Sequence, residues 1–155
     1  MSEYSRLLAD RVQEYLDSQN WKYQFSEDTG VFSLSLNMKS KLQTMTLRVS
    51  LAKNGIRTYG YPPLKAGEEN LSRICEYLTR VNYGLSYGNF ELDYSDGEVR
   101  YKSSHYCGDE VPSLDVVEFI VDMPIFMWNR YGDGFVNLLF ADGSPEDEVE
   151  KAESS

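Results

Sequence analysis

Residues 82–102, Asn82 to Lys102, read NYGLSYGNFELDYSDGEVRYK. Asp96-Gly97 is a pair that suits a tight two-residue hairpin turn, because both central positions of a type I′ turn need positive φ. Closing the strands on it predicts Tyr94 opposite Val99, Asp93 opposite Arg100, Leu92 opposite Tyr101 and Glu91 opposite Lys102. One face would then carry Phe90, Leu92, Tyr94, Val99 and Tyr101, and the other two opposite-charge pairs. A slip by one residue would invert every side chain, so the pattern specifies which face goes inward.

Working outward, residues 68–83 predict a helix on the spacing of Leu71, Ile74, Cys75, Leu78 and Val81. Glu68-Glu69 sit at its positive end, Glu76 and Arg80 pair at i,i+4, and Gly84 stops it. Upstream, Met45, Leu47, Val49 and Leu51 alternate with Thr46, Arg48 and Ser50. Asn54-Gly55 then turns the chain into a strand over 56–61, which Pro62-Pro63 ends. Earlier still, Trp21, Tyr23 and Phe25 face Leu36, Leu34 and Phe32 across the four-residue loop 27–30. Residues 4–17 form an amphipathic helix whose stripe is Tyr4, Leu7, Leu8, Val12, Tyr15 and Leu16, with Arg11 snorkelling inside it. Downstream, Leu114–Met123 predicts a largely buried helix behind Pro112-Ser113, with Asp115, Glu118 and Asp122 on its wet side. Pro124 ends or kinks that helix, and helical spacing resumes at Met127, Tyr131, Phe135, Leu138 and Leu139.

The sequence therefore predicts an α+β fold in the order α-β-β-β(-β)-α-β-β-α(-α), an antiparallel sheet with helices on one face. One domain spans 1–141, followed by an acidic tail over 142–155 that is expected to fray, with at most a short turn at Pro145–Lys151. At 155 residues the chain can bury a core without disulfides or a structural metal.

Charge is segregated along the chain. Residues 1–28 hold six acids against three bases, residues 29–67 no acid and six bases, and residues 68–155 nineteen acids against six bases. The N-terminus has no apolar leader and no run is long enough to span a membrane, which predicts a cytoplasmic protein without a membrane partner.

Chemistry-bearing motifs are few. His105, Cys107 and Asp109 stand close in sequence but lack a second histidine or cysteine at ligand spacing, so strand-end polarity explains them better than a metal or a nucleophile pair. Cys75 reads as a small core residue. Neither a dinucleotide fingerprint nor a phosphate loop occurs, and no cofactor is expected. The acid-free segment supplies the candidate binding surface: Lys39, Lys41, Arg48, Lys53 and Arg57, with Tyr59 and Tyr61 to stack a ligand. A single nucleic-acid strand would suit such residues, yet the acidic whole argues against it.

LTRVNYGLSYGNFELDYSDGEVRYKSS, Leu78 to Ser104, resembles the central segment of the bacterial YbjN family of sensory transduction regulators. The helix end with N-Y-G, the G-N-F-E-L-D strand and the D-G-E-V-R-Y return strand all match, and ADGSPEDEVEKAE resembles that family's C-terminus. The family's fold is similar to type III secretion chaperones, small acidic α+β proteins that dimerise and hold client segments. The resemblance implies a non-enzymatic, homodimeric, chaperone-like or regulatory protein-binding module with an unknown protein client, and it transfers no catalytic residue.

Overall fold

The computed structural model describes residues 3–154. Met1 and Ser2 of the charged N-terminus and Ser155 of the acidic tail lie outside the described residues. The elements run α1 (Arg6–Ser18), β1 (Gln24–Ser26), β2 (Val31–Asn37), β3 (Thr44–Leu51) and β4 (Gly55–Tyr61). A 3₁₀ turn (Glu68–Asn70) leads into α2 (Leu71–Tyr83), followed by β5 (Asn89–Leu92), β6 (Val99–Tyr106), α3 (Leu114–Phe140) and α4 (Pro145–Glu153). The six strands form one antiparallel sheet in the order β1-β2-β3-β4-β6-β5. Its inner face carries Phe32, Leu34, Met45, Leu47, Val49, Ile56, Phe90, Val99 and Tyr101, all buried beneath the helices. The outer face is polar and aromatic, and none of its side chains is buried. The expected fold class and element order are those observed.

Ser5 caps α1 by accepting from the Leu8 N–H at 3.2 Å. Its apolar stripe centres on Val12, with Leu8, Ala9, Tyr15 and Leu16 buried. Leu7 lies outside the stripe and is 66% exposed; at about 100° per residue it falls well away from Val12. Arg11 is half-buried and Nη1 donates to the Pro112 carbonyl at 2.5 Å.

The hairpins keep the expected faces but differ in their turns. Phe25 lies opposite Phe32 as predicted, their rings 4.3 Å apart. The ladder stops at Gln24, however, so Tyr23 and Trp21 reach the core through edge-on ring contacts with Phe32 and Tyr15. The β3–β4 turn centres on Lys53-Asn54 instead of Asn54-Gly55: the Ala52 N–H donates to the Gly55 carbonyl at 2.9 Å and Leu51 faces Ile56. Gly55 is needed in the strand because a Cβ there would stand 3.0 Å from the His105 carbonyl oxygen.

The β5–β6 hairpin is displaced by two residues from the predicted register, with Glu91 opposite Arg100 and Leu92 opposite Val99. Asp93 drives the difference. Its N–H donates to the Glu98 carbonyl, its carbonyl accepts from Gly97, and its carboxylate accepts from the Ser95 N–H at 2.9 Å. That Asx turn closes a four-residue loop around Gly97 at φ 79°. Tyr94 therefore sits in the loop, 59% exposed, instead of on the inner face. A slip of two preserves side-chain parity, so Phe90, Val99 and Tyr101 still point inward with Leu92 packed against them.

α3 does not end at Pro124; it is one helix of 27 residues capped by Ser113. The proline ring packs over Gly60, where a Cβ would meet Pro124 Cβ at 2.8 Å. One turn on, the indole of Trp128 donates to the Gly60 carbonyl at 2.9 Å. Gly132 and Gly134, which weaken helix propensity, are sites of close approach: an added Cβ would meet Ser40 Oγ at 2.6 Å at the first and overlap Tyr77 Oη at the second. Tyr77, absent from the predicted stripe, is fully buried and donates to the Tyr131 carbonyl at 2.7 Å, whereas Cys75 is only half-buried. The acidic tail likewise forms a helix, α4, seated on α2 and α3 with Glu148 3% exposed.

Candidate functional site

The structure divides the predicted binding residues between two surfaces. Arg48, Arg57, Tyr59 and Tyr61 share the outer face of the sheet, because alternation along β3 and β4 sends them away from the core. Tyr59 and Tyr61 lie stacked, 6.1 Å apart. The Arg48 guanidinium covers Tyr61 at 5.3 Å and that of Arg100 covers Tyr59 at 4.8 Å. β6 thus adds Arg100 and Lys102 to this face, residues whose charges the sequence explains as register-setting. Both bind Glu91, at 2.6 and 2.8 Å. Lys53 projects from the β3–β4 turn at the sheet's end.

Lys39 and Lys41 lie elsewhere, in the β2–β3 loop against α3. The Lys39 N–H donates to Asn129 Oδ1 at 2.8 Å and the Lys41 N–H to Asp133 Oδ1 at 2.7 Å.

A third surface was not legible as a site. The loop 84–87 and one face of α3 enclose an open groove of about 770 Å³. Tyr87, Phe119 and Phe126 stand in it 53%, 41% and 56% exposed, with Met123 and Met127 as its floor. The Tyr87 and Phe119 rings meet edge to face at 5.0 Å. Asp115, Glu118, Asp122 and Glu153 rim the groove, with Arg130 among them. The Tyr15 hydroxyl donates to Asp122 at 2.7 Å; burial raises the Asp122 pKa, that hydrogen bond opposes the rise, and neighbouring Glu118 adds to it. The available signal was a surplus: a helix apolar almost all round has more apolar residues than one sheet can cover.

His105 lies on the inner face of β6, 3.2 Å from Ser103 Oγ and edge-on to Phe119. Burial lowers its pKa and raises that of Cys107. Among the described residues no group of three or more His, Cys, Asp or Glu side chains could hold a metal ion. Nor is any described helix long and apolar enough to cross a membrane.

Two solved structures share the fold. YbjN from E. coli superposes with a TM-score of 0.56 at 12% identity, covering 80% of this chain and 92% of its own. The structure of the ExsC–ExsE complex contains a chain matching with a TM-score of 0.52 at 16% identity, covering 81% of this chain and 90% of that one. A search of curated proteins gives no match. The sequence pattern described as "YbjN: Putative bacterial sensory transduction regulator" matches residues 8–135, most of the helix–sheet–helix unit, and this chain belongs to the YbjN family.

Proposed function

We propose that the protein is a non-enzymatic, homodimeric, chaperone-like module that holds a segment of a client protein and through it exerts a regulatory role. The observation carrying this reading is the α3 groove, where Tyr87, Phe119 and Phe126 remain exposed beside methionines that can repack around varied side chains. The solved complex of ExsC with ExsE, a neighbour in fold, supports it. The acidic rim selects the client chemistry: an amphipathic segment with apolar anchors flanked by Lys or Arg.

The test is a pull-down with Phe119→Glu/Phe126→Glu beside the unaltered protein. Both side chains are exposed, so the variant is expected to stay folded by circular dichroism while losing client retention. Retention undiminished in the folded variant would sink the groove reading. Light scattering is expected to give twice the chain mass; a monomer at all concentrations would remove the dimer.

A second reading rests on the Arg48–Tyr61 and Arg100–Tyr59 pairs of the outer face: a single nucleic-acid strand stacked on the tyrosines. It requires binding that falls steeply with salt, and indifference to polyanions at low salt would end it.

A further inference from the structure

A polar cleft of about 630 Å³ lies between the β2–β3 loop, the C-terminal half of α3 and α4. Its position follows from alternation in the loop. Met38, Ser40 and Leu42 are buried, which throws Lys39 and Lys41 outward to the cleft. Gly132 lets the loop approach α3, and the bonds to Asn129 and Asp133 pin it there.

Cations outnumber acids in this cleft, in a chain whose net charge is −10. Lys39, Lys41, Arg130 and Lys151 face Asp133 and Glu148, and both acids are already engaged. Asp133 holds the Lys41 backbone. Glu148 accepts from Asn137 Nδ2 at 3.1 Å and from Lys151 Nζ at 3.3 Å. Asn137 Oδ1 in turn accepts from Lys41 Nζ at 2.8 Å, so one chain of hydrogen bonds, Lys41–Asn137–Glu148–Lys151, fixes two ammonium groups on one wall. Among the described residues neither Lys39 nor Arg130 forms an ion pair, and Lys41 Nζ bonds only a neutral amide. Phe126 and Ala152 add an apolar wall.

The geometry points to a binding site in this cleft for the phosphate monoester of a small organic molecule, complete only when α4 is docked. A phosphate monoester brings close to two negative charges and three acceptor oxygens at neutral pH, which matches the unneutralised cations. The volume suits a small ligand, and Phe126 adds apolar surface for its organic part. The cleft shares Phe126 and Arg130 with the edge of the client groove, but the proposal does not rest on that groove holding a client.

The experiment is calorimetric titration of the full chain with adenosine monophosphate, glycerol phosphate and inorganic phosphate at low salt. Adenosine monophosphate is expected to bind most tightly, glycerol phosphate less so and inorganic phosphate least. Lys41→Gln/Lys151→Gln is expected to weaken adenosine monophosphate about tenfold, with Lys22→Gln, remote from the cleft, unchanged. Affinity should fall below about pH 6, where the ligand gains a proton. On the unaltered chain, amide shifts should centre on Lys39, Lys41, Asn137 and Lys151, which tests the location without any variant. The proposal is overturned by no binding at millimolar ligand, by equal affinity for adenosine monophosphate and inorganic phosphate, by equal losses in both variants, or by shifts centred elsewhere.

Discussion

Glu91 stands between Arg100 and Lys102 on the outer sheet face, and the two cations hold it in its charged form. Burial pushes its pKa up, but hydrogen bonds from Lys102 and Arg100 and their charges outweigh that and hold it below its ordinary 4.5. A depressed carboxylate contributes stability above its unfolded pKa and loses it as the pH falls through the folded value. Glu91→Gln is therefore expected to cost about 1 kcal/mol at pH 7 in urea denaturation, the difference shrinking as the pH drops below 4.5. Gly134 makes the opposite kind of prediction, one of space. Alanine would gain about 1 kcal/mol of helix propensity. Its Cβ would, however, press on the buried Tyr77 hydroxyl and its bond to Tyr131. Gly134→Ala should lower stability by a net 1–2 kcal/mol, roughly, read from the denaturation midpoint.

At the level of elements, α4 shows local chemistry and tertiary packing agreeing. Ser144 caps it by accepting from the Asp147 N–H at 3.1 Å, Pro145 opens it, and Glu146, Asp147 and Glu148 fill its first turn. Those signals were readable in the tail, but charge density pointed to fraying. Contacts far away in sequence decide the matter: Arg73 donates to the Gly143 carbonyl at 2.6 Å, Tyr131 to Glu153 at 2.9 Å, and Asn137 to the buried Glu148. Truncation before Ser144 is expected to cost about 2 kcal/mol by chemical denaturation. α3 teaches the complementary point. Pro124 removes one backbone donor, yet the helix runs through because the ring fills space over Gly60 and flanking residues bury on both sides.

For the whole molecule, one sheet backed by four helices shares a single apolar core from Leu8 to Leu138. Trp21 sits at its edge near α1 and Trp128 at its centre against Phe90. We expect tryptophan fluorescence and far-ultraviolet circular dichroism to report one urea transition with the same midpoint. Separate midpoints would show that α4 or the N-terminal hairpin unfolds on its own. Segregated charge becomes meaningful only at this scale. Arg48 and Arg57 of the acid-free segment lie on the outer sheet face and Lys39 and Lys41 at the α3–α4 cleft, while Asp115, Glu118 and Asp122 of α3 and Glu153 of α4 collect around the apolar groove.

Periodicity and turn residues determined most of the elements, their order from α1 to α3 and the face each strand turns inward, because period-two and helical patterns are local and a slip of two leaves parity intact. Tertiary structure decided the register at Asp93, the passage of α3 through Pro124, the docking of α4 and the sorting of seven candidate residues onto separate surfaces. Those outcomes depend on which distant groups fill a space or accept a hydrogen bond, such as Gly60 beneath Pro124 or Asn137 beside Glu148. No spacing within the chain encodes that pairing.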